Sequence, residues 1–324
     1  MFDDVDPFIG TAATELPEAS GIAATWWWPK PQVGNTHPGA THPFGMVSAT
    51  AYSGAYPTGY GSYDLNTEGV PSRLFDRLGA SGFTHFQQSG TGAIRKYYNY
   101  LRVTPMVVPL DELGTAWDLA DEVAEPGYYS ANLASGSGCE LTVGPKSAVH
   151  RYTFPEHDDA RLVIDLSLGG LAIEHGATVP IRAHVQSSAH DAAHGELVVE
   201  GAPLAFHVAC DVPGWRQLLW YDRRLMHGST RLEFDYIRPT TLRPFGLTWR
   251  GPTTAGQTVE LRLGFSLRGV EQARRNLDSD CGSKPSGFDR RRSATRTTWS
   301  GHLGRIRIDS GSDERRTVFA SALY

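Results

Sequence analysis

The residues best suited to chemistry lie in the first third of the chain. From Gly34 to Met46 the sequence reads Gly-Asn-Thr-His-Pro-Gly-Ala-Thr-His-Pro-Phe-Gly-Met. Pro38 and Pro43 fix the backbone while Gly39 and Gly45 permit tight turns, so Asn35, Thr36, His37 and His42 project from a loop of set geometry. Such a loop suits a sugar-binding surface. As a zinc pair, His37 and His42 would need further ligands, and no recognisable set stands nearby. Hydrogen-bonded histidines are the first reading, substrate or interface contact the second and metal the third.

A second stretch, Ser89-Gly90-Thr91-Gly92, resembles a phosphate cradle only superficially, because no Lys-Ser/Thr follows and no βαβ unit surrounds it. Its glycines let backbone amides and Ser89 approach a sugar hydroxyl or a partner domain, with a plain turn as the alternative. His85 precedes it on an expected strand, and Gln87 and Gln88 add amides suited to hydroxyls. Arg95 follows, and near a cleft it would bind an anion. In Trp26-Trp27-Trp28-Pro29 three consecutive indoles cannot all face one core. Trp27 and Trp28 either pack against another domain or stack on a sugar ring. Tyr60, with Tyr56, Tyr63, Tyr97, Tyr98 and Tyr100, carries the same ambiguity.

The elements that must position these residues read as all-β. The 324 residues, 40% of them hydrophobic, suffice for a full core without disulfide or metal staples. The 35 Gly and 20 Pro are spread along the chain, as many short strands with tight turns require. Expected strands are 43–50, 82–86 and 99–106, then 128–133, 139–143, 147–153, 161–165, 179–186, 196–200, 204–210, 217–221, 232–236, 245–249 and 258–266. In the last, Val259, Leu261, Leu263 and Phe265 share one face. Residues 71–78 read as a helical turn. Helices are expected from Val270 and from Phe288 to Leu303, the latter packing through Ala294, Trp299 and Leu303, followed by a short strand at 305–308 and a last helix capped by Asp313. Strands this numerous point to two stacked antiparallel sheets.

Net charge is −5, which offers a phosphate backbone no broad attraction, so nucleic acid is not an expected partner. The basic run Arg290-Arg291-Arg292 with Arg296 reads as a solvated helix face. No apolar stretch of about 18 residues would span a bilayer, and the start Met1-Phe2-Asp3-Asp4 lacks the pattern of a secretory signal. Cys139, Cys210 and Cys281 are far apart and read as free thiols.

Three ordered segments resemble glycoside hydrolase family 92, a family of exo-acting α-mannosidases. They are Asp6-Pro-Phe-Ile-Gly-Thr11, the Gly34–Met46 stretch, and Gly82-Phe-Thr-His-Phe-Gln-Gln-Ser-Gly-Thr-Gly92. Weaker matches fall at 127–131, 151–154, 270–274 and 316–324. The resemblance implies an antiparallel β-supersandwich of the galactose mutarotase-like kind over 1–268, a helical linker over 269–312, and over 313–324 the first helix of an (α/α)6 catalytic domain. It implies inverting hydrolysis of terminal α-mannosides, with calcium helping to hold the sugar. The catalytic carboxylates and calcium ligands would lie mainly on the catalytic domain, beyond Tyr324, so this chain alone is expected to be inactive. Its sequence is apolar up to Tyr324, as if stopping inside an element that expects a partner. An aromatic often stands in the family where this chain has His37, a departure that would alter the neighbouring subsite.

The implied partners are α-mannoside glycans and the chain's own (α/α)6 domain. Residues expected to touch substrate are Trp27, Trp28, Asn35, His37, Tyr60, His85, Gln88, Ser89, Gly90, Thr91 and Arg95. Arg95 further motivates a charged leaving group such as a mannosyl phosphate. Two other readings stay open: a stand-alone carbohydrate-binding module, and a mutarotase or epimerase using His150, His175, His184 or His207 with Glu174 or Glu196.

Overall fold

The computed structural model describes residues 1–11, 20–22, 36–54, 58–60, 63–65, 71–74, 79–87, 96–97, 99–167, 171–172, 176–177, 182–199, 202–210, 212–235, 243–282, 287–308 and 311–324. In chain order its strands begin with β1 (Ala40–Thr41), β2 (Ser48–Ala51), β3 (Tyr63–Leu65), β4 (Pro71–Leu74), β5 (Phe83–His85), β6 (Lys96–Tyr97) and β7 (Tyr100–Met106). Then come β8 (Leu119–Glu125), β9 (Tyr128–Leu133), β10 (Gly138–Val143), β11 (Ser147–Phe154), β12 (His157–Asp165), β13 (Leu171–Ala172) and β14 (Gly176–Ala177). The series ends with β15 (Arg182–Ala189), β16 (Ala192–Val199), β17 (Ala202–Ala209), β18 (Arg216–Tyr221), β19 (Arg224–Met226), β20 (Arg231–Asp235), β21 (Phe245–Thr253) and β22 (Gln257–Ser266). Three helices follow: α1 (Val270–Cys281), α2 (Gly287–Leu303) and α3 (Asp313–Leu323).

Two antiparallel sheets dominate. One has the order β1-β2-β5-β7-β12-β21-β18-β19, the other β20-β15-β16-β17-β22-β11-β10-β9-β8. Their facing sides form one core, because alternation along each strand sends every second side chain inward. β22 shows this as its sequence requires: Val259, Leu261, Leu263 and Phe265 are buried, and each fully buried side chain of this size stabilises the fold by roughly 1.5–3 kcal/mol. Opposite them lie Phe83, Val103, Leu162, Ile164 and Leu247 of the other sheet.

α1 and α2 cover part of the outer face of the nine-stranded sheet. At Gly264 a Cβ would meet the Ala273 carbonyl oxygen at 2.4 Å, so glycine lets α1 lie directly on β22. Leu277, Cys281 and Phe288 then join Tyr128 and Val149 in a second apolar cluster. α2 is fastened by the Thr295 hydroxyl, which donates to the Val143 carbonyl at 2.6 Å, and by Arg292, whose guanidinium lies 3.5 Å from the centre of the Tyr128 ring.

Some local expectations change. Pro71–Leu74 pairs with β3 as a strand rather than making a helical turn. Residues 306–308 join no strand; the chain leaves α2 through a turn at Gly304 and Arg305 and pairs with no neighbour among the described residues. α3 is capped by Ser312, whose hydroxyl accepts from the Arg315 amide, and Asp313 opens the helix instead. Ala294 points to solvent while Phe288 and Thr295 are buried with Trp299 and Leu303. β8 was not expected: its Leu-Ala-Asp-Glu-Val-Ala-Glu sequence alternates poorly, and a bulge between Ala120 and Val123, with Asp121 at φ 51°, breaks the period.

Candidate functional site

At one end of the sandwich the first residues, the 36–47 loop, the end of α2 and α3 surround a cavity of about 580 Å³. Its N-terminal wall is a series of tight turns. The Asp6 carboxylate accepts from the Phe8 amide at 2.9 Å, and Gly10 adopts φ 82°, which brings Thr36 close enough to donate its hydroxyl to the Ile9 carbonyl at 2.8 Å. The Asp6 amide donates to the Ser321 hydroxyl of α3, so this wall is tied to a helix 315 positions away.

The loop is pinned from inside by His37. This ring is buried; its Nδ1 accepts from the Gly39 amide and its Nε2 donates to the Gln87 carbonyl at 3.2 Å. Burial pushes its pKa down to about 4, so both bonds come from a neutral ring. Gly39 cannot carry a side chain, since a Cβ would lie 2.4 Å from that of Thr50. The loop then turns sharply: the Gly45 amide donates to the His42 carbonyl at 2.9 Å, with Phe44 at φ 57° between them. Phe44 is 97% exposed, so an aromatic side chain is held in the left-handed region at the rim with no burial to offset the strain. Its ring meets that of His302 edge to face, ring centres 5.5 Å apart. His42 is half-buried, its Nδ1 donates to the Pro43 carbonyl, and burial lowers its pKa.

The helical side closes the cavity. Trp299 donates its indole N–H to the Thr41 carbonyl at 2.8 Å, and its ring packs edge-on against Tyr324 at 4.7 Å. The Tyr324 hydroxyl accepts from Thr41 at 2.9 Å and donates to the Gly39 carbonyl at 3.3 Å. Ile9, Phe44, Val318 and Leu323 leave apolar surface exposed around this end.

Of the residues expected to touch substrate, Trp27, Trp28, Asn35, Gln88, Ser89, Gly90, Thr91 and Arg95 lie outside the described residues. His37 borders the cavity. His85 and Tyr60 do not. His85 is fully buried between the sheets: its Nδ1 faces the Tyr100 carbonyl at 3.1 Å and its Nε2 lies 3.0 Å from Nε2 of His150. A carbonyl only accepts, so Nδ1 carries the proton, His150 donates to Nε2, and the Tyr152 hydroxyl donates to Nδ1 of His150 at 2.7 Å. Burial pushes His85 down to about 4 and holds His150 well below the usual histidine range, so the pair is neutral and no ring nitrogen is left for a ligand. The same burial removes His150 from any acid role of the kind a mutarotase needs. Tyr60 belongs to the core, and its hydroxyl donates at 3.1 Å to Glu122, which also accepts from Tyr129. Asp6, Thr41, Phe44, Trp299, Ser321 and Tyr324 line the cavity without having been singled out as substrate contacts; the first three lie inside the strong sequence motifs, Ser321 and Tyr324 inside the weaker 316–324 match, and Trp299 was expected only to pack its helix.

Among the described lining residues Asp6 is the one carboxylate. Calcium takes 6–8 oxygen ligands, carboxylates foremost, and with one carboxylate on this wall the described residues do not make a calcium shell. Among the described residues no group of three or more His, Cys, Asp or Glu is placed to hold a metal ion.

Comparison with known proteins divides the chain at this same seam. Residues 4–266 match the glycosyl hydrolase family 92 N-terminal domain and residues 272–324 match the family 92 catalytic domain. An uncharacterized secreted glycosidase of Arthroderma benhamiae is 25% identical over 323 residues, covering 90% of this chain and 39% of that protein. A family GH92 α-mannosidase from Bacteroides thetaiotaomicron superposes with a TM-score of 0.74 at 20% identity, over 100% of this chain and 40% of its own. The GH92 glycosyl hydrolase ccman5 gives 0.73 at 24% identity, over 99% and 40%. The chain thus spans about two fifths of the length of these relatives. The cavity takes its walls from both matched regions, Asp6 to Gln87 from one and Trp299 to Tyr324 from the other.

Proposed function

This chain belongs to glycosyl hydrolase family 92, carrying its N-terminal domain and an opening stretch of its catalytic domain, and from that premise we propose that it is the N-terminal part of an inverting exo-α-mannosidase. The observation that supports this reading is the cavity shared by both regions. Its volume falls in the range of small-molecule pockets, roughly 300–1,000 Å³, and Phe44 and His42 stand at its edge in positions that fold stability alone does not require. In this reading the 36–44 loop lends one wall to the cleft for a terminal α-mannoside.

Inversion needs a general acid and a general base about 6.5–9.5 Å apart on opposite sides of the sugar. With Asp6 as the single described carboxylate on this wall, the acid and base are assigned to the part of the catalytic domain that this chain does not carry. Calcium is assigned there for the same reason. This chain positions and encloses; it does not move the proton.

The test is a paired assay. This chain alone releases no mannose from a terminal α-mannoside, whereas the protein extended through the whole catalytic domain releases β-mannose as its first product, and a chelator stops it. Release by this chain alone, or α-mannose as the first product, overturns the proposal.

A further inference from the structure

Away from the seam, the outer face of the nine-stranded sheet gathers three of the chain's 12 histidines. His184 lies on β15, His194 on β16 and His207 on β17. The register sets their spacing: His194 stands directly across from His207, Gln186 flanks His194 on the other side, and His184 pairs with Glu196. Their strand neighbours Val185, Ala193, Phe206 and Val208 are buried in the sandwich, so alternation places the three rings on the opposite, half-exposed face.

Directly opposed residues of an antiparallel pair have Cβ atoms about 4.5–5.5 Å apart. From that spacing two imidazoles can reach one ion at about 2.0–2.1 Å from each nitrogen. His37 and His85 spend both ring nitrogens on the protein; neither His194 nor His207 hydrogen-bonds to any group among the described residues. The neighbouring cation Arg231 is occupied, donating to Gln186 at 3.1 Å and to Glu233 at 2.9 Å.

We propose that His194 and His207 form a two-imidazole clip for a divalent transition cation such as Zn2+, Ni2+ or Cu2+, with water completing the shell. The protein supplies two ligands and the ion stays open to solvent, in contrast to a closed four-ligand structural centre. Imidazole nitrogen favours these cations over Ca2+ and Mg2+, which take oxygen. Burial holds all three rings below the usual histidine range, leaving them in the neutral, ligating form at neutral pH. Arg231 acts in the same direction at His184 and His194, as do Arg274 and Arg262 at His207; Glu196 and Glu233 oppose it at His184, and Asp278 of α1 opposes it at His207.

Calorimetric titration of Zn2+ into the full chain at about pH 7.5 reads one saturable site that disappears at about pH 5, where protons compete for the rings. His194→Ala and His207→Ala each weaken it by more than roughly tenfold, the scale on which even outer-shell partners act. His184→Ala and His190→Ala, the latter at an 83% exposed side chain, leave it unchanged. Metal-free thermal unfolding shows which variants fold, and His194→Gln replaces an alanine variant that does not. Absence of saturable binding, binding indifferent to both substitutions, or an equal loss in His184→Ala overturns the assignment.

Discussion

Phe206 and Phe44 are the same residue type in opposite circumstances. Phe206 is fully buried between the sheets, while Phe44 is 97% exposed on a strained turn. Around Phe206 the structure is held by paired strands whose inner faces interdigitate. Around Phe44 it is held by a few side-chain bonds between residues far apart in sequence, such as Tyr324 to Gly39 and Trp299 to Thr41. The sandwich spends its residues on packing, whereas the seam leaves polar and apolar groups facing a cavity. Under the proposed function, that difference is what sets the seam apart as the sugar-facing end of the molecule.

Substitutions can break or sharpen the contrast. The largest effect of any single substitution is expected at the core: Phe206→Ala lowers unfolding free energy by about 3–5 kcal/mol, measured by urea denaturation. Acid, acting on several buried groups together, does no less. His37, His85 and His150 are neutral in the fold, with pKa values depressed below their unfolded value near 6.5. Their contribution is complete above that value and is lost as pH falls toward 4, because the unfolded chain then binds more protons. Each adds up to about 1.4 kcal/mol per pH unit in that window, so the urea midpoint drops steeply between pH 6.5 and 4.

Smaller effects belong to the seam. Tyr324→Phe removes the hydroxyl shared by Thr41 and Gly39 and costs about 0.5–1.5 kcal/mol, read as faster amide exchange at 39–41 while β15–β17 stay protected. Phe44→Gly relieves the left-handed backbone, worth about 1–2 kcal/mol, but frees the unfolded chain by about 0.5–1 kcal/mol. The net gain is about 1.5 kcal/mol or less. A loss of stability there as large as that of Phe206→Ala would remove the distinction between the two regions.

Much of the fold was legible because β22 and its neighbours alternate cleanly, and burial follows alternation. β8 was not, since its bulge hides the period, and Arg305-Ile-Arg-Ile308 alternates like a strand although 306–308 pair with no neighbour among the described residues. The site was legible in part. The Asp6–Thr11 and Gly34–Met46 motifs do border the cavity, yet Trp299 and Tyr324 close it from 258 and 285 positions away, a pairing that no local pattern announces. His85 looked available to a sugar from its motif, but strand β5 turns Phe83 and His85 into the sandwich, and Thr84 on its other face is buried as well, donating to Asn99. Only the packing of β5 against β11 of the facing sheet reveals that His150 uses it.

Hydrogen exchange on the protein extended through its catalytic domain, with and without mannoimidazole, puts the central claim to the most direct test; that compound is bound by a family GH92 α-mannosidase of similar fold. Protection on binding is expected at residues 36–47 and at the end of α3, with β15–β17 unchanged. Protection confined to the catalytic domain, with the 36–47 loop exchanging as before, would contradict the assignment of this seam to the sugar site.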